Sequence, residues 1–149
     1  MCSRFKRCPL NYPVCETPCV FVADDDEDDQ FLIQHVFVHH SPECRINVVN
    51  NGVELLEALG TVEKLPALVL LDLNMPVMGG LEALALIRKE PQYDSLPVVI
   101  LTTSNQTVDQ QRAMELGANG FVTKPLLLKE YNQLILTLRK QWLIGRCIG

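Results

Sequence analysis

The chain has 149 residues, 48% apolar and 21% charged, with a formal net charge of −5. That is about one domain with enough apolar residues to build a core, which excludes a disordered chain. The first 18 residues hold Arg4, Lys6, Arg7 and Glu16, so the remainder carries −7, a balance that disfavours nucleic acid, whose binding needs Lys and Arg to displace counterions.

Residues 1–18 show no periodicity and contain Pro9, Pro13 and Pro18, so they read as an extension outside the fold. Arg4, Lys6 and Arg7 resemble the start of a signal peptide, but Pro9, Asn11 and Pro13 interrupt any apolar stretch behind them. No apolar run is long enough to span a membrane, and the expectation is a cytoplasmic protein. Cys2, Cys8, Cys15 and Cys19 lack the paired CxxC spacing of a zinc knuckle. A reducing compartment argues against disulfides, which leaves Cys19 and Cys44 as small core residues in strands.

From Cys19 to about Leu143, short apolar runs alternate with longer helical patterns. Strands are expected at Cys19–Ala23, Arg45–Val49, Ala67–Leu71, Pro97–Leu101 and Gly120–Thr123. Helices are expected at Asp28–His39, Val53–Gly60, Gly80–Lys89, Val108–Leu116 and Leu127–Leu143, with residues 144–149 a short tail. Strands that read as continuous apolar runs are buried on both faces, which implies a parallel sheet covered by helices. Five such units make a small α/β, doubly wound domain, whose functional groups lie outside the carboxyl ends of the strands.

The first strand runs into an unbroken acidic stretch, Asp24 to Asp29. Asp26, Glu27, Asp28 and Asp29 are explained by a helix N-terminus, where carboxylates complement the dipole. Asp24 and Asp25 sit before the helix, at the strand mouth. The third strand ends on Asp72, so three carboxylates meet at one edge if the two strands are neighbours. Like charges at that range repel unless a cation neutralises them. Hard oxygen ligands suit Mg²⁺ or Mn²⁺.

Asp72 can also act as a nucleophile towards a phosphoryl group, forming an aspartyl phosphate. Pro76, Gly79 and Gly80 hold an irregular loop beside it. Thr102, after the fourth strand, offers a hydroxyl to a phosphoryl oxygen. Lys124, after the fifth, is costly to bury without a partner, which Asp72 or a bound phosphoryl group would supply. Pro125 turns the chain out of the sheet, and the Lys124–Pro125 bond is a candidate cis peptide.

Asp24-Asp25, Asp72 with Asn74-Met75-Pro76 and Gly79-Gly80, Thr102, and Lys124-Pro125, in that order, resemble the receiver domain of two-component response regulators. The segments Leu101–Ser104 and Leu116–Pro125 further resemble the single-domain subgroup that includes partners of bacterial phytochromes. The resemblance implies a flavodoxin-like fold with strand order 2-1-3-4-5. It implies that Asp72 accepts phosphate from a histidine kinase or phosphotransfer protein. Asp25, Asp72 and the backbone carbonyl of Asn74 would ligate Mg²⁺, with Asp24 acting through a bound water. Lys124 would pair with the phosphoryl group, Thr102 would swing towards it, and Phe121 would turn inward. That motion would alter a surface made by the fourth helix, fifth strand and fifth helix, read by a downstream protein.

Phe121 carries no hydroxyl where some members have tyrosine, so the switch would work through packing. Leu126-Leu127-Leu128 cannot all face inward, and with Trp142, Leu143 and Ile144 they suggest a partner or homodimer surface on that face. His35 and His39 have i,i+4 spacing but no third ligand, so they read as solvated helix residues. Two rivals remain. An aspartyl-phosphate hydrolase would need an acid two residues after the nucleophile, where Asn74 stands. A scaffold that has lost the switch would have no use for the full set Asp24, Asp25, Asp72, Thr102 and Lys124. The expectation is thus a phosphoacceptor and not a turnover enzyme, with no output domain after it.

Overall fold

The structure, a computed structural model, describes residues 6–7, 13–14 and 18–143. Its strands and helices alternate: β1 (Cys19–Ala23), α1 (Glu27–His40), β2 (Arg45–Val49), α2 (Gly52–Thr61), β3 (Leu68–Leu71), α3 (Gly80–Lys89), β4 (Val98–Thr102), α4 (Thr107–Glu115), β5 (Gly120–Thr123) and α5 (Leu128–Leu138). The five strands form one parallel sheet in the order β2-β1-β3-β4-β5, the flavodoxin-like topology expected. In the N-terminal segment Lys6–Arg7 pairs antiparallel with Pro13–Val14. Cys2, Cys8, Cys15 and Cys147 lie outside the described residues.

Alternation along the central strands splits the core in two. Phe21, Ala23, Val69, Leu71 and Ile100 face Leu55 and Leu59 of α2 and Leu84 and Ile87 of α3. Val20, Val22, Leu68, Leu70 and Leu101 face Ile33 and Phe37 of α1 and Tyr131 and Ile135 of α5. Burying each such large apolar side chain contributes about 1.5–3 kcal/mol. Strand β2 lies at the sheet edge, and its burial alternates where the central strands are covered throughout. Cys19 and Cys44 are half-buried; Cys44 stands just before β2, not within it as expected.

Helix ends follow their capping residues. Asp26 caps α1, its side chain accepting from the N–H groups of Asp28 and Asp29, and Asn51 caps α2 by accepting from Glu54. Helix α4 buries only Ala113 and leaves Val108 and Met114 exposed, so it is the least anchored of the five.

The expected last helix is divided: α5 gives way to a π turn over Arg139–Leu143. Trp142 and Leu143 pack against the Val20–Phe37 side of the core and do not extend an exposed apolar stripe, which corrects the expectation; Ile144 lies outside the described residues. Leu126, Leu127 and Leu128 are exposed, as three successive residues at a helix entry must be in part.

Candidate functional site

Because β1 and β3 are neighbours in register, Ala23 opposite Leu71, the residues that follow them leave the sheet side by side. The Asp24 N–H donates to the Val49 carbonyl at 3.0 Å and the Asp72 N–H to the Ala23 carbonyl at 2.9 Å. These bonds extend the ladder one residue and place both carboxylates at the mouth. One oxygen from each of Asp24, Asp25 and Asp72 lies within 4.8 Å of the others, with Asp24 and Asp72 buried and Asp25 exposed. Three hard oxygens at that spacing match the donor set of a small divalent cation.

Further bonds fix the two buried acids. Asp24 Oδ1 accepts from the Asp26 N–H at 2.9 Å, and its carbonyl accepts from Gln30 Nε2. Asp72 Oδ1 accepts from the Leu73 N–H at 2.8 Å. Burial raises the Asp24 carboxyl to about 6; the hydrogen bond from Lys124 opposes the shift without cancelling it.

Lys124 reaches the same place from β5. Its N–H donates to the Thr102 carbonyl at 2.7 Å, so the β4–β5 ladder runs to the last residue before Pro125. Its Nζ lies 2.7 Å from Asp24 Oδ2, 2.7 Å from Asp29 Oδ2 and 3.4 Å from Asp72 Oδ2. Burial disfavours the ammonium, but the hydrogen bonds to Asp24 and Asp29 outweigh it and leave Lys124 more basic than usual. No peptide bond among the described residues is cis, so the Lys124–Pro125 bond is trans, contrary to the expectation. Proline lacks an N–H and stops the ladder in either isomer, so the exit from the sheet does not need the cis form.

An open cleft of about 510 Å³ covers these groups, walled by Asp25 to Asp29 with Asp72, Asn74, Thr103 and Lys124. The exposed Asn74 thus stands at the site. Thr102 does not line the cleft: it is fully buried, and its Oγ1 accepts from the Ser104 N–H at 3.4 Å. Its neighbour Thr103 forms that part of the wall. Phe121 sits opposite Ile100 in the β4–β5 register, half-buried against the Leu84 side of the core.

The loop after Asp72 closes on itself through Met78 N–H to Pro76 O at 2.7 Å and Gly80 N–H to Leu73 O at 2.9 Å. Gly80 is required there, because a Cβ would run into the Asp72 carbonyl. Val77, between Pro76 and Gly79, adopts φ 67, a left-handed conformation rare for a β-branched residue.

Asp29 was expected to serve only the helix dipole, yet it contacts Lys124. The available signal was its place three residues after the capping Asp26, since helical side chains tilt back towards the N-terminus. The histidines lie apart from the cleft: Phe31 stacks on His35, His39 meets His40 edge-on, and His40 Nε2 contacts Asn132 of α5.

The model of the response regulator receiver domain matches residues 20–136. The response regulator Rcp1 of Synechocystis is 31% identical over 129 residues, covering 83% of this chain and 88% of that protein. Among solved structures, the phosphorylated cyanobacterial phytochrome response regulator RcpA superposes with a TM-score of 0.80 at 30% identity, covering 85% of this chain and 94% of that one. The Mn²⁺-bound form of Rcp1 gives 0.77 at 28% identity, covering 86% and 96%.

Proposed function

From the premise that this chain belongs to the response regulator receiver family, we propose that Asp72 is its phosphoacceptor, charged by a histidine kinase or phosphotransfer protein. An ionised Asp72 oxygen attacks the phosphorus of a phosphohistidine. The P–N bond breaks, the imidazole leaves, and an acyl phosphate forms on Asp72. No general base is needed, because the nucleophile is already a carboxylate.

The supporting observation is the convergence of Asp24, Asp25 and Asp72 with Lys124 at one sheet edge. Asp24, Asp25, Asp72 and the Asn74 carbonyl would hold Mg²⁺ or Mn²⁺; the Mn²⁺-bound form of Rcp1 supports that assignment. Such an ion neutralises charge that spreads over the phosphoryl oxygens during transfer. Lys124 supplies the ammonium partner for the same oxygens. Leu73, through its N–H on Asp72 Oδ1, keeps the carboxylate oriented.

Thr102 then carries the state outward. A χ1 rotation would take its hydroxyl from the Ser104 N–H to the phosphoryl group, and Phe121 would fill the space released. Both residues lie on strands beside α4, the least anchored helix. The α4–β5–α5 face, with Leu126, Leu127 and Leu128 exposed, is the surface a downstream protein or a second copy would read.

The test is incubation with acetyl phosphate and Mg²⁺, followed by intact mass. The wild-type chain gains one phosphoryl group and Asp72→Asn none; labelling that persists in the variant overturns the assignment. A scaffold without the switch gains no mass at all, and a hydrolase turns over acetyl phosphate in bulk.

A further inference from the structure

We propose, resting on the reading of Asp72 as phosphoacceptor and of Thr102 as the residue that turns to it, that Ser104 and Asp109 form a latch holding Thr102 at rest. Both are positioning residues, outside the cleft. Thr102 lies two residues past Ile100, and Asp72 one past Leu71; Ile100 and Leu71 are partners on neighbouring strands. Thr102 is fully buried, and its Oγ1 accepts from the Ser104 N–H at 3.4 Å. A turn of the hydroxyl towards Asp72 takes that acceptor away. Ser104 then either follows Thr102 or is left with an unpaired N–H, which is costly in a half-buried loop.

Ser104 is restrained from following. Its Oγ donates to Asp109 Oδ2 at 2.5 Å, the length of a charge-assisted bond. The same oxygen accepts from the Gln106 N–H at 3.3 Å, and the Ser104 carbonyl accepts from Thr123 Oγ1 at 3.4 Å. Ser104 and Asp109 are half-buried, while residues 105 to 108 between them are exposed. The connection thus has an inward anchor at each end, and the two anchors bond each other. Asp109 belongs to the first turn of α4, which buries only Ala113 and which no side chain caps among the described residues. Its bond to Ser104 ties the start of α4 to the end of β4. When Thr102 turns, that bond has to break or carry α4 with it. The latch therefore biases the two-state equilibrium that a group on Asp72 shifts.

The experiment is calorimetric titration of the full chain with beryllofluoride in saturating Mg²⁺, which sets a phosphoryl-like anion on a carboxylate. Ser104→Ala removes Oγ and leaves every charge in place. It should tighten binding about three- to tenfold, the worth of one hydrogen bond, while lowering the urea midpoint of the unliganded chain. Asp109→Ala removes the other partner and should tighten binding by a similar factor, and the double variant should gain little beyond either single one. In a Thr102→Ala background, Ser104→Ala should change binding less than about twofold. A merely structural bond would lower stability and affinity together, so unchanged or weaker binding by Ser104→Ala overturns the proposal. Additive gains from Ser104→Ala and Asp109→Ala, or an undiminished gain without the Thr102 hydroxyl, do so too. If the wild-type chain takes up no beryllofluoride, or Asp72→Asn takes it up equally well, the phosphoacceptor reading itself fails and this inference with it.

Discussion

Asp24 and Lys124 form a buried ion pair, Oδ2 to Nζ 2.7 Å, between the ends of β1 and β5. Even so, burial raises the Asp24 carboxyl from 3.8 to about 6. A carboxyl with a raised pKa binds its proton more tightly in the folded chain than in the unfolded one. The fold therefore loses stability as pH rises from about 4 to about 6, where the unfolded chain ionises first. A divalent cation reverses the preference, because its ligands must be deprotonated. Mg²⁺ affinity should accordingly weaken as pH drops through about 6, with protons released on binding in that window. Calorimetry in two buffers of different ionisation enthalpy measures the release. An Mg²⁺ affinity that is flat from about pH 5 to about 7 would remove Asp24 from the metal site.

Gly80→Ala should damage fold and site together. Its Cβ would meet the Asp72 carbonyl and stand 2.9 Å from the Leu73 Cα, both backbone atoms that cannot rotate away. The expected loss is about 1–3 kcal/mol by urea unfolding, with reduced phosphoryl uptake because Asp72 must shift. Gly60 is the contrast: nothing lies within 4 Å of a Cβ built there, near the end of α2. Gly60→Ala should raise stability by about 0.5–1 kcal/mol through helix propensity alone.

The extent of the fold that could be read in advance follows from burial. Cys19–Ala23, Arg45–Val49 and Gly120–Thr123 were legible to the residue, because parallel strands appear as short β-branched runs between polar stops. The meeting of Asp24, Asp25 and Asp72 was legible because the strand order sets it. Side-chain rotation was not. Thr102 and Thr103 are adjacent at a strand end, and only the packed chain turns Thr103 into the cleft and Thr102 towards Ser104. Asp29 was hidden in a run of acids with one obvious shared explanation. Its contact with Lys124 spans 95 positions and depends on the rotational phase of α1.

Arg88 shows the same blindness to long-range polar contacts, and its removal is a third test. From the end of α3 its guanidinium donates to the carbonyls of Gly117, Tyr93 and Leu96 at 3.0, 2.8 and 2.9 Å, and to Asn119 Oδ1 at 3.0 Å. It ties the α3–β4 and α4–β5 connections together. Arg88→Ala should cost at least about 2 kcal/mol, since several carbonyls lose a charged donor at once. Arg88→Lys should not recover it, because a single ammonium cannot reproduce the fork. Phosphoryl uptake should persist below the unfolding transition. A variant as stable as wild type in urea would show these bonds to be energetically idle.

Val77 is the place where the chain should improve on substitution. Its φ of 67 puts a β-branched side chain in the left-handed region, and it is 81% exposed, so little packing offsets the strain. L-residues lose roughly 1–2 kcal/mol in that conformation, and Asn tolerates it better than most. The loop cannot relax freely, because Met78 bonds Pro76 on one side and Gly52 on the other at 2.7 and 2.9 Å. Val77→Asn should therefore stabilise the fold by about 1 kcal/mol in urea unfolding. Phosphoryl uptake on Asp72 should be unchanged in rate, since the backbone beside the site stays as it is. If stability does not rise, the strain is absent, and a Val77→Thr variant, β-branched as well, would then match wild type and Asn alike.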